Sequence, residues 1–119
     1  MKYMMLVYMN EQAMSDAERQ QCFTESTKLA QELHAKGQFV AASPLQLIST
    51  ATSVRVREGK QLITDGPFAE TREQLGGFYI VDAKNLDEAI AIAARIPPAK
   101  KGTIEIRPIL ELPGLPEKA

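Results

Sequence analysis

The sequence predicts an α+β fold in which two helices cover one face of a sheet. Two strand-like runs, residues 2–9 and 77–82, are apolar at both odd and even positions, which is typical of strands covered on both faces. Two helix-like segments with start signals separate further strands, in the order β-α-β, hairpin, β-α-β. This order is that of a ferredoxin-like α+β fold carrying an inserted β-hairpin.

The first helix is predicted from residue 16 to residue 36. Ser15 and Glu18 have the spacing of a capping box, and Gly37 is suited to end the helix in a left-handed conformation. Residues 39–42 follow as a short second strand that ends at Ser43-Pro44. The buried stripe of the helix, at three-to-four spacing, consists of Cys22 or Phe23, Ser26, Leu29 or Ala30, and Leu33.

The middle of the chain is rich in turn residues. Residues 53–57 alternate apolar and charged, and Glu58-Gly59-Lys60 is a hairpin turn into a strand over 61–64. Asp65-Gly66-Pro67 is a turn, and residues 68–75 are expected to form a single helical turn before the central strand over 77–82.

The second helix is predicted to begin at Asn85 or Leu86 and to end at Ile96, because Pro97 and Pro98 follow. Residues 103–107 alternate and form the last strand. We expect one domain over residues 1–112 and a loose, proline- and glycine-rich tail over 113–119.

Composition argues against several classes of function. The net charge is −1 with no basic block, which argues against a nucleic-acid-binding surface. No apolar run approaches the roughly 20 residues of a membrane-spanning helix. The single cysteine, Cys22, excludes an internal disulfide and fits a reducing cytoplasm. One histidine and one cysteine make a zinc site improbable, and Gly76-Gly77 lacks the spacing of a phosphate-binding loop, so we expect neither a metal nor a cofactor.

The two-sided apolar strands also predict a homodimer. Both helices would cover the same face of the sheet, and a chain of 119 residues has nothing left to cover the other face. A second copy that packs sheet to sheet about a two-fold axis is the simplest cover.

The stretch TDGPFAETREQLGGFY at residues 64–79 resembles the DGPF subgroup of the YCII-related family. The similarity covers nearly the whole chain, including residues 1–4, 51–60, 86–89 and 104–108. The resemblance implies a small bacterial cytoplasmic protein with a dimeric ferredoxin-like α+β barrel. Members of this subgroup are often encoded beside extracytoplasmic-function sigma factors, and the wider family includes a lactone dehydrochlorinase.

The family's suspected catalytic unit, a His–Asp pair, does not carry over to this chain. Ser26 stands where the family has the histidine, and Ile96, before Pro97, stands where it has the aspartate. Neither side chain can exchange a proton at neutral pH. The resemblance therefore weakens the case for an enzyme.

A few side chains remain as candidates for chemistry. His34 lies in the last turn of the first helix, where a cation suits the helix dipole, and this position favours a surface role for it. Cys22 is interpreted as a small buried thiol. Asp65 either caps its own turn, accepting N–H groups from residues 68–70, or acts as an acid–base group. On the last strand Glu105 and Arg107 share one face, opposite Ile104 and Ile106, and form an ion pair or bind a ligand in the dimer cleft. Tyr79 could present its hydroxyl in that cleft or bond within the core.

Three hypotheses for function follow from these observations. The first is a non-catalytic module that binds a small ligand in the dimer cleft, accessory to a sigma-factor circuit. The second is a lyase or isomerase acting on a small carboxylate or lactone, with Asp65 as acid–base group and Arg107 as anion binder. The third is an interaction partner of a sigma factor, which would expose an apolar patch outside the dimer surface.

Overall fold

A computed structural model describes residues 1–116 of the chain. Over these residues the regular elements are six strands and two helices, and single 3₁₀ turns occur at 11–13, 48–50 and 97–100. In chain order they are β1 (Lys2–Met9), α1 (Asp16–Ala35), β2 (Phe39–Pro44), β3 (Thr52–Arg57), β4 (Lys60–Asp65), β5 (Gln74–Asp82), α2 (Leu86–Ala93) and β6 (Thr103–Pro108).

Four strands form one antiparallel sheet in the order β2-β5-β1-β6. Two antiparallel sheets with two helices make the fold α+β, as the sequence predicts, and the strand order is consistent with a ferredoxin-like fold. Within the described part of the chain, neither helix has the length and apolar character that crossing a membrane requires.

The core lies between the helices and one face of this sheet. Tyr3, Met5 and Val7 of β1 alternate with half-exposed neighbours and pack against Tyr79 and Val81 of β5. From the helices, Leu29 and Leu33 of α1 and Ala89, Ile92 and Ala93 of α2 complete the buried cluster, together with Ile96.

The helix termini follow the sequence signals. The Ser15 hydroxyl accepts the Glu18 N–H at 3.1 Å and the Glu18 carboxylate accepts the Ser15 N–H at 3.2 Å, so the capping box is confirmed. Gly37 has φ +74° and follows the helix end, as predicted. The Asn85 side chain caps α2 by accepting the Glu88 N–H at 3.0 Å.

Two predicted boundaries are wrong. No helical turn forms over 68–73, and β5 begins at Gln74, three residues early, because Gly76 and Gly77 are accommodated within the strand. The helix α2 ends at Ala93 rather than Ile96, since Ile96 already has the extended backbone (φ −69°, ψ 122°) that a following proline favours.

The strands β3 and β4 pair only with each other, through a two-residue turn in which Glu58 and Gly59 both have positive φ. All their residues are exposed except the half-buried Ser53. The Cα radius of gyration is 16.1 Å, whereas a compact domain of this length has about 13.5 Å. The two strands therefore form an arm that packs little against the core.

Candidate functional site

A pocket of about 290 Å³ lies between α1 and the four-stranded sheet. Ligand sites are concave, mostly apolar and furnished with a few polar groups, and this pocket has that composition. Within the described residues, no Lys, Arg, His, Asp or Glu side chain lines it. Its aromatic and polar side chains include Phe23, Phe39, Cys22, Ser26, Thr27, Ser43 and Tyr79.

Three polar side chains meet on the α1 side of the pocket. Cys22 and Ser26 are one helical turn apart and so share a face of α1. From the sheet, the Tyr79 hydroxyl donates a hydrogen bond of 2.8 Å to the Ser26 carbonyl oxygen. This bond fixes the tyrosine ring across the pocket and ties β5 to the middle of the helix.

Burial keeps this cluster uncharged at neutral pH. Desolvation raises the pKa of the Cys22 thiol and of the Tyr79 hydroxyl above their ordinary values, although hydrogen bonding by Ser26 lowers both somewhat. Cys22 is therefore a protonated, weakly nucleophilic thiol, and it is half-buried where the sequence suggested a buried one.

The pocket wall on the β2 side depends on a close backbone approach. A Cβ atom at Gly77 would lie 2.8 Å from the Ser43 carbonyl oxygen and 3.1 Å from Pro44 Cα. Only glycine allows β2 to pair with β5 at this distance. The adjacent Gly76 is not restricted in this way, since its Cβ would meet only the Met9 side chain, at 3.6 Å.

Charged groups lie beside the pocket rather than in it. The Arg19 guanidinium is 5.2 Å from the centroid of the Phe23 ring, a cation–π distance. Arg19 lines a smaller neighbouring cavity together with Glu11, whose carboxylate accepts the Ile48 N–H at 3.1 Å.

The opposite face of the sheet carries an ordered pattern of side chains. Across β5, β1 and β6, one row reads Ile80, Met4, Arg107 and the next reads Phe78, Leu6, Glu105. The central strands thus present apolar, half-exposed side chains and the edge strand β6 presents opposite charges. We call this surface the open sheet face.

Glu105 and Arg107 form an ion pair on this face, with 3.6 Å between Arg107 Nη1 and Glu105 Oε2. Ile104 and Ile106 pack on the core side, as the alternation predicts. Tyr8 lies on the same face as Glu105. Burial is the main cause that raises the pKa of the Tyr8 hydroxyl, the Glu105 carboxylate raises this pKa further, and Arg107 lowers it.

The structure separates the predicted site residues into three places. Tyr79 is in the core, which is one of its two predicted positions, while Glu105 and Arg107 are together on the open sheet face. Asp65 ends β4 and is exposed. Its predicted turn-capping bonds are not found among the hydrogen bonds of residues 1–116, and it does not line the pocket. His34 is exposed on α1, with its ring centroid 6.3 Å from that of Phe39 in an edge-on arrangement.

Ser26 and Ile96, the positions that correspond to the family's suspected catalytic pair, both line the pocket. The sequence predicted Ser26 on the buried stripe of the first helix and Ile96 at the end of the second, but it did not place the two in one cavity. A usable signal was present for the helix side of the pocket, because Cys22 and Ser26 are four residues apart and share a helix face. Tyr8 was also missed, because a tyrosine in an apolar strand is usually a packing residue.

No group of three or more His, Cys, Asp or Glu side chains that could hold a metal ion occurs within residues 1–116.

Comparison with known proteins places the chain in a family. An uncharacterised protein of Rhizobium meliloti (strain 1021) is 33% identical over 114 residues, which span 92% of each chain. The YCII-related domain matches residues 1–113, a range that includes every strand, both helices and the pocket between them. On this match over nearly its whole length, the chain belongs to the YCII-related family.

Proposed function

We propose that this protein is a homodimeric, non-catalytic module that binds a small ligand in the pocket between α1 and the sheet. The observation that carries the proposal is the composition of the pocket: an apolar cavity of about 290 Å³ with one cluster of polar side chains. The ligand thus binds on the helix side of the sheet, whereas the sequence suggested the dimer cleft.

The absence of an acid–base group in the pocket favours binding over catalysis. A general base needs a pKa near the working pH. The titratable side chains of the described lining are Cys22 and Tyr79, and burial moves the pKa of each further from neutrality. Ser26 and Ile96 supply no replacement for the family's suspected pair.

Ligand binding is tested by amide NMR of the full chain with neutral, anionic and cationic fragments. Ser26→Phe fills the pocket, and Thr24→Phe makes the same substitution at an exposed position of α1. We expect fragments to shift amides around the pocket in the parent and in Thr24→Phe but not in Ser26→Phe. If no fragment shifts these amides, the protein does not bind ligands there.

The open sheet face supports the homodimer. Its four central side chains, Met4, Leu6, Phe78 and Ile80, are apolar, and its edge carries Glu105 and Arg107. A two-fold axis brings identical surfaces together, so apolar centres meet and edge charges of both signs are available to pair across the interface. This arrangement is the dimeric α+β barrel with the hairpin arm inserted outside the barrel sheet.

Light scattering at micromolar concentration tests the dimer. The parent should have twice the 13.1 kDa mass of one chain. Ile80→Asp should give a folded monomer, because Ile80 is only half-buried within one chain and the aspartate would otherwise be buried against the partner. Ile90→Asp on the exposed surface of α2 is the matched control and should remain dimeric. A monomeric parent would overturn the dimer.

A second candidate function is protein interaction through the hairpin arm, the β3–β4 pair. Val54 and Ile63 are paired across the arm and Val56 lies two residues along the same face. Each of the three is about 60% exposed, at 60%, 64% and 59% respectively. Exposed apolar patches rimmed by polar residues mark interaction surfaces, and the rim here includes Thr52, Gln61 and Asp65.

The resemblance to the DGPF subgroup makes an extracytoplasmic-function sigma factor the partner to test for this arm. Co-elution of the purified protein with such a factor should be lost when Val54 and Ile63 are both replaced by lysine, while the dimer mass remains. Undiminished co-elution would exclude the arm as the contact surface.

The enzyme alternative, a lyase or isomerase with Asp65 and Arg107 as its working groups, finds less support. The two residues belong to different sheets, and neither lines the pocket. It would require the dimer to bring Asp65 of one protomer to Arg107 of the other.

A further inference from the structure

We infer that the ligand of the α1–sheet pocket is an uncharged, mostly apolar molecule of about two rings that carries one hydrogen-bonding group. This identity rests on the proposed ligand-binding function and adds the chemical class of the ligand.

The electrostatics of the pocket exclude a charged ligand. Within the described residues its lining contains no charged side chain. An ion placed there would lose its hydration without gaining a counter-charge, which costs several kcal/mol in a protein interior. The helix α1 does not help, because Ser26 lies in the middle of Asp16–Ala35 and the helix dipole acts only at the first and last turns.

The Arg19 side chain does not change this conclusion. Its guanidinium lies 5.2 Å from the centroid of the Phe23 ring, and Arg19 lines the neighbouring cavity rather than the pocket. An anion bound by Arg19 would therefore sit beside the pocket and not within it.

One hydrogen-bonding group on the ligand is indicated by the state of Ser26. The hydroxyls of Thr24 and Thr27 donate to carbonyls one turn earlier in α1, at 3.0 and 2.8 Å. Among the hydrogen bonds of residues 1–116, the Ser26 hydroxyl makes no such bond, and the Tyr79 hydroxyl donates to the Ser26 carbonyl oxygen rather than to this hydroxyl. The Ser26 hydroxyl is thus available, together with the acceptor capacity of the Tyr79 oxygen, to a ligand hydroxyl, amide or carbonyl.

The volume gives the size. An apolar cavity of about 150 Å³ takes up benzene, and this pocket is about 290 Å³. The pocket therefore has room for two aromatic or alicyclic rings.

A matched pair of fluorescent probes tests the inference with the full chain. N-phenyl-1-naphthylamine is neutral and has one N–H donor, and 8-anilinonaphthalene-1-sulfonate is the same scaffold with a sulfonate added. We expect the neutral probe to bind one site per chain and the anionic probe to bind at least about tenfold more weakly, the equivalent of about 1.4 kcal/mol. Ser26→Phe should abolish binding of the neutral probe, and Thr24→Phe should not.

Alkylation of Cys22 gives a second measurement that does not depend on the folding of Ser26→Phe. Iodoacetamide adds an uncharged group to the only thiol of the chain. The modified protein should lose the neutral probe, while Cys22→Ala treated in the same way should retain it.

The outcomes separate the two levels of the proposal. If the anionic probe binds in the pocket as tightly as the neutral one, and its binding is lost in Ser26→Phe, the neutral-ligand inference is overturned and the binding function stands. If Ser26→Phe and Cys22 alkylation both leave the binding of both probes unchanged, the proposed function itself is overturned.

Discussion

Replacement of Gly77 by alanine should destabilise the protein through a single backbone contact. The added Cβ would lie 2.8 Å from the Ser43 carbonyl oxygen and 3.1 Å from Pro44 Cα. Both atoms belong to the main chain of β2, so no side-chain rotation relieves the contact. The ladder between β2 and β5 must instead open by roughly half an ångström to restore ordinary van der Waals distances.

The neighbouring Gly76 supplies an internal control. Its Cβ would be 3.6 Å from the flexible Met9 side chain, and its φ is not positive, so alanine fits without strain. Gly76→Ala should therefore stabilise by about 0.5 kcal/mol through the lower entropy of the unfolded chain. Gly77→Ala gains the same term but incurs an overpacking cost of about 1–3 kcal/mol. The two variants should differ by about 2 kcal/mol in the free energy of unfolding.

Urea denaturation followed by circular dichroism measures this difference directly. For a chain of this length it corresponds to melting temperatures that differ by about 8 °C. The m-values of the variants should agree with that of the parent, because the fold is unchanged. Equal midpoints for Gly76→Ala and Gly77→Ala would refute the close approach of β2 and β5, and with it the shape of the pocket wall.

Substitutions at three further positions test individual contacts. Asp65→Asn and Asp65→Ala should each change the free energy of unfolding by less than about 0.5 kcal/mol, because the exposed carboxylate accepts no hydrogen bond within residues 1–116. If Asp65→Ala alone lowered the free energy of unfolding by about 1 kcal/mol or more, the capping role would be restored. Tyr79→Phe removes the donor to the Ser26 carbonyl and should lower the free energy of unfolding, measured by urea denaturation, by about 1 kcal/mol. The Lys101 ammonium, and next the Ser15 N–H, hold the pKa of Glu18 at about 2. The ionised Glu18 carboxylate therefore stabilises the parent relative to the Glu18→Gln variant, fully above pH 4.5 and progressively less as the pH falls toward 2. The melting temperatures of the two proteins should converge over that range.

Local chemistry made much of the fold predictable from the sequence. The capping box at Ser15 and the left-handed Gly37 are decided by residues in direct contact along the chain, so the sequence signal is sufficient for them. The alternation of β6 likewise predicted that Ile104 and Ile106 lie on one face, now seen to be the core face, and that Glu105 and Arg107 lie on the other. Each of these features depends on neighbours within a few residues.

Features that depend on distant parts of the chain were not predictable in the same way. The early start of β5 follows from its pairing with β1, since Gln74 lies opposite Met9, which is 65 residues earlier in the sequence. The pocket depends on the distance between α1 and the sheet, which no periodicity reveals. Tyr79 could not be assigned to a face, since β5 is apolar at both parities and only tertiary contact with Ser26 decides between them.

The replacement of two residues inside one cavity has a direct chemical consequence. The positions that correspond to the family's suspected His–Asp pair are 70 residues apart in sequence, and here Ser26 and Ile96 both line the same pocket. Had only one member of such a pair been replaced, the other would remain as a titratable group enclosed in an apolar cavity, at the cost of several kcal/mol for an unpaired charge. With both positions occupied by uncharged residues, the described lining of the cavity avoids that cost and lacks the pair. The proposed ligand binding requires only a cavity of this kind, which a neutral molecule can fill.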